Sequence, residues 1–241
     1  MSSNAVSSSP KAPECQESGC DFMKLLKQTF ASGELSDVCF AVGRDFGNAQ
    51  NFPAHKLILS IRSAVFRTMF YGSLPENCDK AISIPDIHPD AFANMLSFVY
   101  TEAVENLTSD NVFATMSCAD KYDLPQLVRI CSDFIGSHLN AETCLATLQQ
   151  AVSWHADSIV EKCMGVLEAN TVAILQSDQF TAISQDTLKS ILQSDTLSAK
   201  EHAVYLAVER WASAACARNA LDALIVARYW VTLCFLYAFR S

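Results

Sequence analysis

Phe52-Pro-Ala-His-Lys-Leu-Ile-Leu-Ser-Ile-Arg-Ser-Ala-Val-Phe-Arg-Thr-Met-Phe70 is the stretch that decides the fold, and it follows a shorter segment, Asp37-Val-Cys-Phe-Ala-Val42. In the shorter segment the valines and the phenylalanine occupy every second position, a pattern that predicts a half-buried β-strand. Glycine and asparagine residues between the two segments supply turn chemistry. The sequence therefore predicts a two-strand hairpin with a loose loop, followed by helices.

An amphipathic helix is predicted before the hairpin. Phe22, Leu25, Leu26 and Phe30 recur at steps of three and four residues, and Gly33 stands where a helix often ends in left-handed geometry. After the long stretch, Ile82 and Ile84 predict a further short strand, and Pro89 predicts a helix start, where its missing N–H costs nothing.

The second half of the chain reads as helical after residue 101. Ser198-Ala-Lys-Glu201 has the pattern of a capping box, in which side chains satisfy backbone N–H groups at a helix start. The apolar stripes on which the helical prediction depends are Val112, Met116 and Ala119; Val128, Cys131, Ile135 and Leu139; Leu145, Leu148 and Val152; Val160, Cys163 and Leu167; and Val204, Val208, Trp211 and Ala215.

Composition limits the kinds of partner. The 241 residues are 50% hydrophobic, which is ample for a packed core, and they carry 17 basic against 26 acidic residues for a net charge of −9. A nucleic-acid surface needs a lysine and arginine footprint to displace counterions from phosphates. We therefore expect no nucleic-acid partner.

The sequence offers no recognisable catalytic, metal or cofactor motif. It contains neither a nucleophile elbow nor a phosphate-binding glycine loop, and its ten cysteines form no Cys-x-x-Cys pair. His55 could be a general base but has no evident partner in sequence, which favours a structural role. Cys118, Cys131 and Cys144, thirteen residues apart, could be reactive thiols or small buried hydrophobes, and each falls on a different predicted helix.

Four regions follow from these patterns: a disordered arm over 1–20, an α+β domain over 21–139, an all-helical domain over 140–220 and an apolar tail over 221–241. The tail includes seventeen residues, Ala223 to Phe239, interrupted by one charge at Arg228. Spanning a bilayer takes about 20 apolar residues, and a charge inside the span is costly. A last packed helix, or an alternatively spliced terminus, explains the tail as well as a membrane anchor does.

Three further motifs carry a resemblance to a known family. Ile84-Pro-Asp-Ile87, Phe98-Val-Tyr-Thr-Glu102 and Ala119-Asp-Lys-Tyr-Asp-Leu124 follow the long stretch in the order and spacing of animal BTB proteins. Over residues 21–220 the chain resembles a BTB (POZ) domain, with helices around a small mixed sheet, followed by an all-α BACK domain. It is most similar to the BTB-BACK proteins that end in a PHR β-sandwich, a module for which this sequence shows no counterpart.

The resemblance implies a homodimer. Family members pack the first helix against its two-fold mate, which would place Phe22, Met23, Leu25 and Leu26 in the interface. The same stripe could instead cover the chain's own core. The resemblance also assigns Asp37, His55 and Lys56 to polar positions beside the dimer groove, where a buried charge is tolerable only when it is paired.

Cullin-3 is the second partner that the resemblance implies. Family adaptors bind it through an apolar-x-Glu motif after the third helix, and Leu74-Pro-Glu76 occupies that place, preceded by Phe70 and Tyr71. Such a motif would seat an apolar anchor in a desolvated pocket while the carboxylate fixes orientation. Alternatively Leu74 simply ends a helix and Glu76 lies in water.

The expected function is that of a non-enzymatic adaptor of a cullin-3 ubiquitin ligase, without a cofactor, for an unidentified protein substrate, here in a form that lacks its substrate-recognition domain. The alternatives are a dimerisation scaffold that recruits corepressors, and a truncated chain that pairs with related BTB proteins and inhibits them. The scattered cysteines and the lack of a signal peptide predict a reducing compartment, the cytoplasm or else the nucleus.

Overall fold

The computed structural model describes residues 22–43, 45, 49–76, 78, 80–194 and 201–219. The predicted arm over 1–20, the tail over 221–241 and the start of the capping box at Ser198 lie outside the described residues. The elements, in chain order, are α1 Phe22–Ser32, β1 Val38–Val42, β2 Gln50–Ala54, α2 Lys56–Arg62, α3 Ala64–Tyr71, β3 Ile82–Ile84, α4 Pro89–Thr101, α5 Val112–Lys121, α6 Pro125–His138, α7 Cys144–Ser153, α8 Asp157–Ala169, α9 Thr171–Gln176, α10 Asp178–Ala182, α11 Gln185–Gln193 and α12 Glu201–Asn219.

A small mixed sheet lies at the centre of the first part, in the order β2-β1-β3. β1 pairs antiparallel with β2, with Phe40 opposite Phe52, and parallel with β3, with Phe40 opposite Ile82. Every second residue of β1 is buried, beginning with Val38. The predicted hairpin and the predicted third strand are both confirmed.

Four aromatic rings fill the core between this sheet and the helices. Phe40 from β1 lies 5.3 Å from Phe92 of α4, centroid to centroid, and Phe66 of α3 stacks on Tyr122 at 4.3 Å. All four side chains are buried. Aromatic rings bury large apolar areas and gain from edge and offset-stacked contacts, so this cluster ties β1, α3 and α4 to the end of α5.

The stretch from Phe52 to Phe70 contains two helices, and Ser63 separates them. Ser63 has extended backbone geometry between α2 and α3, and its hydroxyl accepts the N–H of Phe66 at 3.2 Å. The same hydroxyl donates to the backbone carbonyl of Tyr122 at 2.6 Å. Ser63 is therefore both the N-cap of α3 and a buried link to the chain after α5.

The predicted helix start at Pro89 is confirmed, because Pro89 lies in the first turn of α4 and the His88 side chain accepts the N–H of Asp90. Pro125 likewise lies in the first turn of α6. From α7 onward every described element is a helix, which agrees with the predicted all-helical second part. In it Trp211 of α12 donates its indole N–H to the carbonyl of Ile183 at 2.9 Å, which links α12 to the end of α10.

The cysteines of the helices behave as buried thiols. Cys118, Cys131 and Cys144 lie on α5, α6 and α7, three different helices, as predicted. Burial raises the pKa of Cys118 and that of Cys131 to about 12, which disfavours the thiolate that nucleophilic chemistry requires. The Cys144 thiol donates to the carbonyl of Cys163 at 3.3 Å. Across the ranges described above, no group of three or more His, Cys, Asp or Glu residues could hold a metal ion.

Among the helices that the structure describes, none is both long enough and apolar enough to cross a membrane.

We expect Ser63→Ala to lower the free energy of unfolding by about 1 to 3 kcal/mol, because the change removes a helix cap and leaves the buried Tyr122 carbonyl without its donor. Urea unfolding monitored by circular dichroism measures this. Ser137→Ala is the matched control, since its exposed hydroxyl donates to Phe134 within α6, and its expected effect is under about 0.5 kcal/mol. Equal losses in the two variants would contradict the assigned role of Ser63.

Candidate protein-binding surfaces

The first helix presents an exposed apolar surface. Phe22 is 67% exposed, Met23 and Leu25 are also exposed, and α1 contains no fully buried residue. Leu26 and Phe30, in contrast, are half-buried and pack against the core. The two alternatives for this stripe therefore divide along the helix surface: Leu26 covers the chain's own core, whereas Phe22, Met23 and Leu25 remain open to solvent.

A ring stack and an ion pair hold α1 against the domain, and a glycine ends the helix. Phe30 stacks on Tyr100 of α4 with ring centroids 4.5 Å apart, and the Lys27 ammonium forms an exposed ion pair with Glu105 at 2.7 Å. Gly33 ends the helix at φ +66°, a conformation that favours glycine, and its N–H donates to Thr29. The helix end expected at Gly33 is confirmed.

His55 connects the end of α1 to the core. Its Nε2 lies 2.7 Å from the carbonyl oxygen of Glu34, and its Nδ1 lies 2.7 Å from the Tyr100 hydroxyl. Because a carbonyl can only accept, Nε2 carries the proton in the neutral ring, and the Tyr100 hydroxyl donates to Nδ1. The same hydroxyl accepts the backbone N–H of His55 at 2.9 Å, and burial raises the pKa of Tyr100 to about 12.

Asp37 and Lys56 are joined through the backbone of the second residue. In the single chain Asp37 is exposed, and its Oδ1 accepts the backbone N–H of Lys56 at 2.8 Å. The His55 side chain makes no capping bond at the start of α2. Asp37 therefore supplies the missing acceptor for an unpaired N–H in the first turn of α2.

Three further apolar residues near His55 are exposed, and the sequence patterns did not predict this. Leu35 follows Glu34 directly, and Leu57 and Ile61 lie one turn apart on α2, so that they share a face. All three side chains are exposed. The signal was present, because four of the seven residues of α2 are apolar and they point in more than one direction, so that not all of them can face the core.

The loop after α3 presents the predicted motif. Leu74 is 91% exposed, and Tyr71 and Glu76 are exposed as well. The loop is tied back to the helix, because the N–H of Glu76 donates to the carbonyl of Met69 and the N–H of Gly72 donates to that of Thr68, both at 2.9 Å.

Glycine is required in this loop. A Cβ at Gly72 would lie only 2.3 Å from the carbonyl oxygen of Thr68. The close approach therefore excludes a larger residue unless the backbone shifts.

Phe70 corrects one prediction for this surface. It is only 7% exposed and packs against Phe40 and Phe66 in the aromatic core. Its position on the inner face of α3 removes it from the set of surface contacts. Phe70 supports the loop from beneath, and Tyr71, Leu74 and Glu76 remain as the exposed candidates.

Comparison with known proteins identifies both parts of the chain. Residues 26–139 match the BTB/POZ domain family, and residues 144–228 match the BACK family, "BTB And C-terminal Kelch". These domains are protein-interaction modules. The chain belongs to the BTB-BACK proteins, as its motifs predicted, and the predicted fold class, an α+β BTB domain followed by an all-α BACK domain, is confirmed.

Several curated relatives share this region. BTB/POZ domain-containing protein 3 of Homo sapiens is 38% identical over 192 residues, which is 80% of this chain and 36% of the relative. Protein 6-A of Danio rerio is 38% identical over 193 residues, 80% of this chain and 35% of the relative. Protein 6 of Mus musculus is 34% identical over 212 residues, 88% of this chain and 39% of the relative. The chain thus spans little more than a third of these relatives.

We expect Tyr100→Phe to lower the free energy of unfolding by about 1 to 3 kcal/mol, since it keeps the ring stack with Phe30 but leaves two polar atoms of His55 without their partner. Urea unfolding gives the free energy, and faster hydrogen exchange at the His55 amide locates the loss. Tyr71→Phe is the matched control, because that ring is exposed, and it should change little. Unaltered hydrogen exchange at the His55 amide would show that the link between α1 and the core does not depend on the Tyr100 hydroxyl.

Proposed function

We propose that this chain is a non-enzymatic, homodimeric adaptor that binds cullin-3 and places protein substrates for ubiquitin transfer. The observation that carries the proposal is the loop after α3, where Leu74 is 91% exposed and Glu76 lies two residues further on. A leucine exposed to this degree at a hydrogen-bonded loop is a ready anchor for a partner's apolar pocket.

The energetics of such an anchor are favourable. Burying a leucine side chain in a partner contributes about 1.5 to 3 kcal/mol. The backbone bond from Glu76 to Met69 holds the loop in place before binding, so little conformational entropy is lost when a partner docks. The Glu76 carboxylate would then orient the partner through a charged or polar contact at the rim of the interface.

Dimerisation is supported by the exposed residues of α1. A two-fold interface uses the same apolar patch on each subunit, and Phe22, Met23 and Leu25 provide such a patch. Leu57 and Ile61 extend the exposed apolar area on α2. We include both helices in the proposed interface, which could pair with a second copy or with a related BTB protein.

A dimerisation scaffold that recruits corepressors is the second candidate. The exposed α1 and α2 residues favour it as much as they favour the adaptor, because they require a partner chain but no ligase. Buried free thiols suit a reducing compartment for either candidate, the cytoplasm or the nucleus. Purification from cells with cullin-3 would favour the adaptor, whereas purification with a corepressor complex would favour the scaffold.

The cullin-3 proposal is tested by calorimetric titration of the chain with the N-terminal domain of cullin-3. We expect saturable binding at concentrations of about 50 µM or below, and a loss of affinity of about tenfold or more in the double variant Leu74→Asp with Glu76→Ala, since a hot-spot anchor would be removed. The loop bonds use backbone atoms, so the variant should stay folded.

Val172→Asp is the matched control for this titration. Val172 is exposed on α9, in the BACK part, so the change introduces the same charge on an apolar side chain outside the proposed surface. Its affinity for cullin-3 should change by less than about twofold. Absence of binding at tens of micromolar, or equal binding by the double variant and the unmodified chain, would refute the proposal.

A further inference from the structure

Four serines in the described part of the chain are followed, three residues later, by a carboxylate. They are Ser73 before Glu76, Ser83 before Asp86, Ser117 before Asp120 and Ser158 before Glu161. A kinase with a basic substrate site recognises a carboxylate at this spacing, because its arginine and lysine side chains pair with the carboxylate beside the hydroxyl that receives the phosphate. The backbone around each serine decides which of the four a kinase can reach.

Three of these serines lie in regular secondary structure. Ser83 is the middle residue of β3, Ser117 lies on α5 and Ser158 lies on α8. In each case the next residue in sequence is buried in the core, namely Ile84, Cys118 and Ile159. A kinase holds its substrate as an extended segment, so these segments would first have to unfold locally and lose their core contacts.

Ser73, in contrast, lies in an exposed loop. It follows α3, and both Ser73 and the three residues after it are exposed to solvent. The Ser73 hydroxyl forms no hydrogen bond with a described residue, whereas the Thr68 hydroxyl of α3 donates to the carbonyl of Ala64 at 3.0 Å. A kinase can therefore reach the Ser73 hydroxyl without displacing another partner.

The carboxylate of Glu76 is equally available. It is exposed and forms no ion pair with a described residue. Extending the segment breaks the backbone bond from the N–H of Glu76 to the carbonyl of Met69, and water replaces such a bond at small net cost. No buried side chain is uncovered, because Leu74 and Glu76 are already exposed.

We propose that an acidophilic serine/threonine kinase, which reads Glu76, phosphorylates Ser73 and that the phosphate releases cullin-3; the second half rests on the proposed function. In the transfer the Ser73 hydroxyl oxygen forms a bond to the γ-phosphorus of ATP. The bond from that phosphorus to the bridging oxygen of ADP breaks, and ADP leaves with the bonding electron pair. The hydroxyl proton passes to the catalytic carboxylate of the kinase.

The charge of the phosphate explains the release. A phosphate on Ser73 carries roughly −1.5 to −2 elementary charges and is attached to the residue directly before Leu74. When Leu74 enters a partner's apolar pocket, this charge is carried to the edge of a desolvated interface, where an unpaired charge is costly. Glu76 adds a second negative charge to the same loop. The unmodified serine hydroxyl imposes neither cost.

Treatment of the full chain with casein kinase 2, an acidophilic kinase, in the presence of ATP and Mg²⁺ tests the site. Peptide mass spectrometry should find phosphate on Ser73 and at most about a tenth as much on Ser158, which has the same spacing but lies in a helix. Glu76→Gln should lower the initial rate at Ser73 about fivefold or more, because the kinase loses the carboxylate that it reads.

Glu161→Gln is the matched control for the kinase assay. It removes an exposed charge from α8, outside the loop, and should change the rate at Ser73 by less than about twofold. Absence of phosphate on Ser73, equal phosphate on Ser73 and Ser158, or equal effects of the two glutamine variants would overturn the assigned site.

Calorimetric titration with the N-terminal domain of cullin-3 tests the release. The phosphorylated chain should bind about tenfold or more weakly than the untreated chain. Ser73→Ala treated with the kinase in the same way is the matched control, because it carries any phosphate added elsewhere. Such sites include Ser18 and Ser198, which have the same spacing in sequence but lie outside the described residues. The treated control should bind within about twofold of the untreated chain.

The titration separates failure of this inference from failure of the proposed function. If the untreated chain binds cullin-3 and the phosphorylated chain binds as tightly or more tightly, the release is wrong and the proposed function stands. A treated Ser73→Ala chain that loses as much affinity as the phosphorylated chain also refutes the role of Ser73. If the untreated chain does not bind cullin-3, the proposed function fails and the release fails with it, and the kinase site is then judged by mass spectrometry.

Discussion

The hydrogen bonds of the His55 ring are the constraint on which the proposed dimer surface depends. α1 has 11 residues, none of them fully buried, and an isolated helix of that length is marginal in water. Its position is therefore set by tertiary contacts, namely the link from Glu34 through His55 to Tyr100 and the ring stack of Phe30 on Tyr100. Because Tyr100 makes both contacts, one buried side chain of α4 determines where Phe22 and Leu25 point.

The same stretch of sequence supports both proposed interfaces from the inside. Ser63 joins α2 to α3 and fixes both to the chain after α5, while Phe66 and Phe70 bury the inner face of α3. The outer faces of these two helices are left with Leu57, Ile61 and Tyr71 exposed. A rigid core beneath exposed apolar residues is the arrangement that lets a surface bind without first having to become ordered.

The sequence predicted the elements of this fold better than it predicted which residues lie on the surface. The alternation in β1 and the prolines of α4 and α6 are local signals, and the structure agrees with each of them. Phe70 and Tyr71 are neighbours of similar character, yet only Phe70 faces Phe40, and that difference depends on how α3 packs on the sheet. The capping of α2 by Asp37 likewise joins residues far apart in sequence.

Native mass spectrometry of the chain mixed with the N-terminal domain of cullin-3 tests whether the chain is a two-fold adaptor with one cullin site on each subunit. We expect a complex of two chains and two cullin-3 domains, because the α1 surface and the Leu74 loop use different residues and can be occupied together. A folded chain that stays monomeric, or a complex of one chain with one cullin-3 domain, would contradict it.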